Sequence, residues 1–283
     1  DHLAKSEFAP NIKALCEKGS ATFRAKAVLP SRTIPGHTSM LTGLHPVEHG
    51  MLNNLYTADE QVQDPTLYDV IKKHDPELVT AASFSKFKLK SILTVDDSYD
   101  AVDYLMAPNP KVEFFKLLQA PIFEIAKYEN SRTVLRNALN IIRDHNPNFL
   151  FVHFADVDWA GHWRSGWDKL RQHKNLRRVD GMIGEIVKEL EATDPNFENT
   201  TIIVTADHGG HGKHHGTEDP EGNEVNIDDP SVLSYDMFSE DNYIIPFVIY
   251  GQNYRSGVAL PDDTIFGTDT FSYVLEQLDI EKP

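Results

Sequence analysis

The chain has 283 residues, of which 40% are hydrophobic and 25% are charged, a composition typical of a globular protein. Its 43 acidic and 27 basic residues give a net charge of −16, which argues against a nucleic-acid polymer as partner because phosphate backbones bind basic surfaces. The single cysteine, Cys16, excludes an intramolecular disulfide and a cysteine-based zinc site, so any metal must bind His, Asp or Glu. No apolar run reaches about 18 residues, and the sequence therefore predicts no membrane span.

Helices and strands are predicted to alternate along the first half of the chain. They are a helix over 11–19, a strand over 23–29, a loop over 31–43 that leads into a helix ending at Gly43, a helix over 65–73 and a strand over 79–84. Residues 86–130 are rich in aromatic side chains, and we interpret them as a small cap insertion over a site.

The second half continues the alternation, with strands that are apolar on both faces. The predicted elements are a helix over 131–144, a strand over 149–154, a helix over 169–191, strands over 201–205 and 244–250, and a helix over 268–278. This pattern predicts an α/β fold: a mainly parallel central sheet with helices on both faces. We expect residues 1–283 to form a single domain.

Three polar clusters follow predicted strands. Residues 30–43 follow the first strand, 156–162 follow the strand that ends near 154, and 207–216 follow the strand that ends at 205. Ligand sites in such sheets lie outside the carboxyl ends of the strands, so the three clusters are predicted to meet in one site.

The cluster DVDWAGH (156–162) contains two candidate metal ligands. Asp158 and His162 are four residues apart, which places both side chains on one side of a helical turn. A carboxylate and an imidazole suit zinc or a similar divalent ion. The alternative is an acidic turn with a helix-capping aspartate, and Asp156 fits a cap or a supporting role.

The cluster TADHGGHGKHHG (205–216) is rich in histidine and glycine. Asp207 and His208 are adjacent at the end of a strand, and His211, His214 and His215 follow. Glycines allow the tight turns that would bring these side chains into one crevice. The alternative is a solvated histidine run without a role.

The cluster PSRTIPGHTSMLTG (30–43) adds a hydroxyl at a strand-to-helix junction, that of Thr33. A plain helix N-cap is one interpretation of this threonine. Beside bound cations, a hydroxyl at a helix N-terminus is instead favoured as an alkoxide nucleophile.

Together the clusters resemble the alkaline phosphatase superfamily, and within it the type I phosphodiesterase/nucleotide pyrophosphatase group. The resemblance rests on PSRTIPGHTSMLTGLHPVEHGMLNN (30–54), DVDWAGH (156–162) and TADHGGHGKHHGTE (205–218). Weaker similarities are APNIKALCEKG (9–19), IPFVIYG (245–251) and TDTFSYVLEQL (268–278).

The resemblance implies two divalent metal ions, expected to be Zn²⁺, and a threonine nucleophile. Thr33 would take the phosphoryl group and touch the second metal. Asp158 and His162 would bind one zinc, and Asp207 and His208 the other.

Two further residues complete the implied site. His215 is the best match to the remaining histidine of the first zinc, with His211 and His214 as rivals. Asn54 matches an asparagine that helps to hold a phosphoryl oxygen.

One departure from the family concerns the N-terminus. The family begins with an apolar strand ending in Asp-Gly, whose aspartate binds the second metal, whereas Asp1 falls a few residues late. We therefore expect that this strand is missing and that the second metal site is incomplete. The alternative is that Asp1 substitutes for the family's aspartate.

The resemblance also bears on substrate and location. Sulfatases are disfavoured because Thr33 cannot become formylglycine and His37 replaces the motif's arginine. Arg32 is next to Thr33 but is expected to point away, so a phosphodiester of nucleotide, aryl or lipid type is favoured over a monoester. Phosphomonoesterase, phosphotransferase and a catalytically dead binding protein are the alternatives. A secreted or periplasmic location is expected.

Overall fold

The computed structural model describes residues 7–54, 62–93, 131–162, 170–210, 216–255 and 260–283. Helices and strands alternate along these ranges. In chain order they are α1 Pro10–Lys18, β1 Ser20–Lys26, α2 Thr33–Thr42, α3 Pro46–His49, α4 Leu67–His74, β2 Thr80–Phe84, α5 Lys90–Leu93, α6 Ser131–His145, β3 Phe149–His153, α7 Asp156–His162, α8 Leu170–Thr193, β4 Ile202–Thr205, α9 Glu240–Tyr243, β5 Ile244–Tyr250 and α10 Asp269–Gln277.

The predicted strands are all present, and the first of them starts earlier than expected. It begins at Ser20 and ends at Lys26, whereas the sequence predicted 23–29. The last strand has the predicted bounds, Ile244–Tyr250. Hydrophobic periodicity and the glycines that end helices therefore predict the positions of the helices and strands well within the described ranges.

The strand directions differ in part from the prediction. Within the described residues, β2 pairs with β3 in parallel, as expected. In the other sheet, of order β1-β5-β4, strand β5 runs antiparallel to both neighbours. Since β1 and β4 both oppose β5, they share one direction, and their carboxyl ends lie at the same edge.

Helix α2 is buried along its whole length, and this burial explains why a poor helix-forming sequence is helical. All ten of its residues are buried, although they include Pro35 and Gly36. Proline is tolerated in the first turn, where no intrahelical acceptor awaits its missing N–H. At the other end, Gly43 adopts φ 72° and donates its N–H to the Ser39 carbonyl, which closes the helix.

A long-range hydrogen-bond cluster fixes the N-terminal helix. The buried Asp180 carboxylate, on α8, accepts the backbone N–H groups of Asn11 and Ile12 at 3.2 and 2.8 Å and the Asn11 side-chain amide at 2.7 Å. The carboxylate thus satisfies N–H groups that the first turn of α1 cannot pair internally.

The largest core cluster lies around α4, β2 and α10. Tyr68, Ile71, Leu89, Ile92 and Phe271 are among its buried members. Leu89, Ile92 and Leu93 of the predicted cap therefore pack into the main core, while residues 94–130 lie outside the described residues. Of the helices in the described ranges, none has the length and apolar character that a membrane crossing requires.

Candidate active site

Four strand ends supply the side chains of one buried site. Thr33 begins α2 after β1, Lys86 follows β2, Asp158 lies on α7 after β3, and Asp207 and His208 follow β4. The three sequence clusters and one unpredicted lysine therefore meet where ligand sites of α/β sheets are expected.

Thr33 lies at the first position of α2 and is 1% exposed. The N-cap residue is Arg32, which makes no side-chain capping bond. Instead, Asn54 supplies the capping oxygen: its Oδ1 accepts the N–H of Ile34 at 2.9 Å. Thr33 is thus not the cap, and Asn54 is held directly beside it.

The first predicted ligand pair is close together. Nε2 of His162 lies 3.4 Å from Oδ1 of Asp158, as the four-residue spacing predicts. The other carboxylate oxygen of Asp158, Oδ2, lies 2.8 Å from the ammonium of Lys86. The two oxygens of Asp158 thus face different partners.

The second predicted pair lies in the same pocket. Nε2 of His208 lies 3.5 Å from Oδ2 of Asp207 and 3.6 Å from Oδ1 of Asp158. Nδ1 of His208 lies 2.8 Å from the Gly209 carbonyl, to which it donates a hydrogen when it carries the proton. That tautomer directs Nε2 towards the two carboxylates, and ring orientation by a carbonyl is typical of metal-binding histidines.

The donor geometry fits metal ligation in pairs. At zinc–ligand distances of about 2.1 Å, neighbouring ligand atoms of a tetrahedral site are about 3.4 Å apart. The separations of 3.4 to 3.6 Å match this value and exceed hydrogen-bond lengths. Among the described residues, however, no three His, Cys, Asp or Glu side chains converge on one ion.

Both carboxylates are held in the ionised form that metal ligation requires. Burial alone would raise the pKa of Asp158, but the ammonium of Lys86 and the nearby histidines outweigh it and hold that pKa well below its usual range. Burial likewise opposes ionisation of Asp207, but its electrostatic interactions with His208, the His37 ring and Lys86 lower its pKa below the usual value.

Two buried imidazoles lie behind the site. His37 Nδ1 is 2.8 Å from the Thr33 carbonyl and 3.4 Å from Oδ2 of Asp207. The His153 ring lies 5.0 Å from that of His37, and its Nδ1 is 3.1 Å from the Ser85 hydroxyl. Burial lowers the pKa of both histidines, which favours neutral rings that support Thr33 and Asp207.

Lys86 is the functional residue that sequence reasoning missed. It is 1% exposed, and its Nζ donates a hydrogen bond of 3.1 Å to Thr33 Oγ1. Its position just after an apolar strand was the only available signal. Lys88, two residues on, is also near the site, and burial lowers its pKa to about 8.

Arg32 points away from the site, as predicted. Its guanidinium contacts the Thr217 hydroxyl at 3.0 Å and Glu224 at 3.3 Å. Asp156 also lies apart from the ligand pairs and has a structural role, because it accepts a hydrogen bond from Ser131 and pairs with Arg178 at 3.4 Å. His211, His214, His215 and Asp1 lie outside the described residues, so their roles stay predictions.

Comparison with known proteins identifies the family. The sequence model of the family described as type I phosphodiesterase/nucleotide pyrophosphatase matches residues 1–218. The chain belongs to this family. The family lies in the alkaline phosphatase superfamily, as the sequence motifs predicted.

Curated relatives agree with this assignment. Human bis(5′-adenosyl)-triphosphatase ENPP4 is 24% identical over 214 residues, which cover 74% of this chain and 44% of the relative. Mouse ectonucleotide pyrophosphatase/phosphodiesterase family member 3 is 28% identical over 207 residues, which cover 72% of this chain and 22% of the relative. The chain thus spans less than half the length of these two relatives.

Solved structures share the fold. Murine ENPP5 superposes with a TM-score of 0.66 at 14% identity, covering 99% of this chain and 92% of that one. This similarity confirms the alkaline-phosphatase-like α/β fold. A second murine ENPP5 structure, with a TM-score of 0.64, 14% identity and coverage of 97% and 91%, contains AMP bound to an inactive threonine-to-alanine variant.

The contact between α2 and the residues after β4 predicts a sensitive glycine. A Cβ on Gly36 would lie 2.5 Å from the backbone oxygen of Asp207, so Gly36→Ala must push Asp207 away from Thr33. We expect a loss of about 1–3 kcal/mol in the free energy of unfolding, as for other overpacked sites. Denaturant unfolding measures it.

Gly181 provides the matched control. It lies on helix α8, and an added Cβ would meet nothing within 4 Å. Gly181→Ala should therefore stabilise the protein by about 0.5–1 kcal/mol, since alanine favours helix. Equal effects of the two substitutions would contradict the close packing of α2 on Asp207.

Proposed function

We propose that the protein is a metal-dependent hydrolase of phosphate esters, of the phosphodiesterase/nucleotide pyrophosphatase type, with Thr33 as nucleophile. One observation carries the proposal: Thr33 Oγ1 and Asp158 Oδ2 contact the same buried ammonium, at 3.1 and 2.8 Å. The candidate nucleophile therefore lies beside the candidate metal ligands.

Members of this family are metal-dependent enzymes. Here Asp158 and His162 would hold one divalent ion, and Asp207, His208 and Thr33 the other, with Zn²⁺ favoured by the carboxylate and imidazole donors. Bound divalent ions supply positive charge that stabilises the phosphoryl group during transfer and offsets the net charge of −16 near an anionic substrate. His215 stays the preferred further ligand of the first ion.

The chain's own residues support a two-step reaction. Thr33 Oγ forms a bond to phosphorus, the ester bond on the opposite side breaks, and the leaving group departs as an alcohol. Water then forms the new bond to phosphorus and releases the Thr33 hydroxyl. The Asn54 side chain is anchored through Oδ1 to the Ile34 N–H, which leaves its NH₂ group to donate to a non-bridging oxygen.

The diester preference rests on family membership and on Arg32. Arg32 is held by Thr217 and Glu224, so it is not placed to bind the second charge of a monoester. Lys86 is a further cation beside the candidate nucleophile, since its Nζ donates a hydrogen bond to Thr33 Oγ1. Because a cation at this position could offset the second negative charge of a monoester, phosphomonoester hydrolysis is the second candidate function. The secreted or periplasmic location stays a prediction.

Removal of metal should abolish hydrolysis. We expect a chelator to remove bound metal together with the hydrolysis of bis(p-nitrophenyl) phosphate, and Zn²⁺ to restore activity, because the bound ions would supply the positive charge that stabilises the phosphoryl group. Asp158→Asn and Asp207→Asn should also lower the zinc content measured by elemental analysis. Glu185→Gln is the control, since Glu185 is half exposed and pairs with Arg132 away from the site. Full activity after verified metal removal would refute the metal dependence.

Thr33→Ala should lower turnover by at least about 10³-fold, since it removes the covalent step. Thr33→Ser should retain part of the activity. The matched control is Thr38→Val on the same helix, which removes a buried hydroxyl that donates to the Ile34 carbonyl. Steady-state kinetics and mass spectrometry of phosphorylated Thr33 measure the effect. A Thr33→Ala enzyme with near-normal turnover would exclude Thr33 as nucleophile.

The substrate class is tested with three p-nitrophenyl esters. We expect kcat/KM to be at least tenfold higher for bis(p-nitrophenyl) phosphate than for p-nitrophenyl phosphate, with little turnover of p-nitrophenyl sulfate. Tenfold corresponds to about 1.4 kcal/mol of differential transition-state binding. A 100-fold advantage of the monoester would replace the diesterase proposal, and comparable sulfate turnover would assign the protein a sulfatase activity.

A further inference from the structure

Lys86 is a lysine in an unusual environment. Its side chain is 1% exposed, and Nζ lies 3.1 Å from Thr33 Oγ1 and 2.8 Å from Asp158 Oδ2. Burying an ammonium is costly unless it is paired and hydrogen-bonded. Asp158 supplies the ion pair. The second short contact is with the hydroxyl of Thr33, which is the nucleophile in the proposed function.

We propose that Lys86 is a catalytic residue that stabilises negative charge on Thr33 Oγ. The inference rests on the proposed function, because it concerns the reacting oxygen of that site. When Thr33 attacks, its hydroxyl proton is lost and ends on the departing alcohol, so the oxygen carries negative charge until its bond to phosphorus is complete. When phosphothreonine is hydrolysed, the same oxygen is the leaving group and gains negative charge again. One fixed N–H donor therefore assists both steps.

This role is compatible with metal ligation by Asp158. Oδ2 faces Lys86, whereas Oδ1 faces His162 at 3.4 Å and His208 at 3.6 Å. A metal bound through Oδ1 leaves the ion pair with Lys86 in place. Asp158 then orients the ammonium towards Thr33, and its carboxylate links the nucleophile to the metal ligands.

Two other roles for Lys86 make different predictions. As a partner of Asp158 alone, Lys86 would matter for folding and metal content but not for the chemistry at Thr33. As a ligand of the ester oxygen that leaves first, Lys86 would matter most for poor leaving groups, which need more help with their charge. The experiment separates these roles from the proposed one.

The main comparison is between Lys86→Met and Lys88→Met in the zinc-loaded protein. Both substitutions remove one positive charge near Asp158, but of the two lysines it is Lys86 whose hydrogen bond to Thr33 Oγ1 the structure shows. We expect Lys86→Met to lower kcat for bis(p-nitrophenyl) phosphate by about 10²–10³-fold, typical of a lost oxyanion donor, and Lys88→Met to have a much smaller effect. If Lys86→Met does not fold, Lys86→Arg and Lys86→Gln replace it in the comparison. Lys86→Arg keeps the positive charge and should therefore retain more activity than Lys86→Gln. Circular dichroism and zinc content verify each variant.

The decisive measurement is a double-mutant cycle with Thr33→Ala. If Lys86 acts through Thr33 Oγ, adding Lys86→Met to Thr33→Ala should cost almost nothing further in the residual hydrolysis. A full additional loss in the double variant would show that Lys86 acts on the phosphoryl group or on the fold, and would overturn the proposal.

Leaving-group dependence gives a second, independent readout. The p-nitrophenyl and phenyl esters of thymidine 5′-phosphate share the phosphoryl part and differ in the basicity of the leaving oxygen. The loss of kcat/KM caused by Lys86→Met should be equal for both esters within about threefold; a much larger loss for the phenyl ester would assign Lys86 to the leaving oxygen. If the wild-type protein is active and Lys86→Met keeps that activity, the role of Lys86 is refuted and the proposed function is not. If the wild-type protein shows no turnover, the proposed function is refuted, and the role of Lys86 with it.

Discussion

The burial of two carboxylates in one pocket is the constraint on which the rest of the site depends. Asp158 and Asp207 both lie within 3.6 Å of His208 Nε2, inside a chain whose net charge is −16. Their charges would repel each other in a medium of low dielectric constant unless cations are held nearby. Lys86 is one such cation within the described residues, and the imidazoles provide further donors. The pocket is therefore built to hold positive charge, which is also what a phosphate ester requires.

The same constraint explains how the surrounding elements are arranged. Helix α2 approaches Asp207 so closely that only glycine fits at position 36, and the buried His37 connects the first turn of that helix to the Asp207 carboxylate. Asn54 caps the helix from outside. The proposed nucleophile and the candidate ligands are thus fixed by backbone packing and not by long flexible side chains, as preorganised catalysis requires.

Much of this arrangement was predictable from the sequence. Apolar runs and the glycines that end helices predicted the helices and strands. Because ligand sites lie at the carboxyl ends of strands, Thr33, Asp158 and Asp207 were predicted to lie in one site. The direction of β5 was predicted wrongly, because its continuous apolar run is typical of parallel strands but here belongs to a strand antiparallel to both neighbours. Lys86 was missed because lysines are normally exposed, and only tertiary contacts show that this one is buried. The Asp180 bonds to α1 join positions 168 and 169 residues apart, and no local pattern encodes them.

The complete burial of α2 has a consequence for how sequence variation in this protein should be read. Every residue from Thr33 to Thr42 is packed on all sides, so substitutions along the whole helix will be selected against for reasons of shape. A survey of tolerated mutations would therefore show one uninterrupted intolerant block, in which the proposed nucleophile, Thr33, is indistinguishable from its neighbours. Invariance across this helix measures packing, and the chemistry of Thr33 becomes visible only where a variant keeps its shape and loses its oxygen.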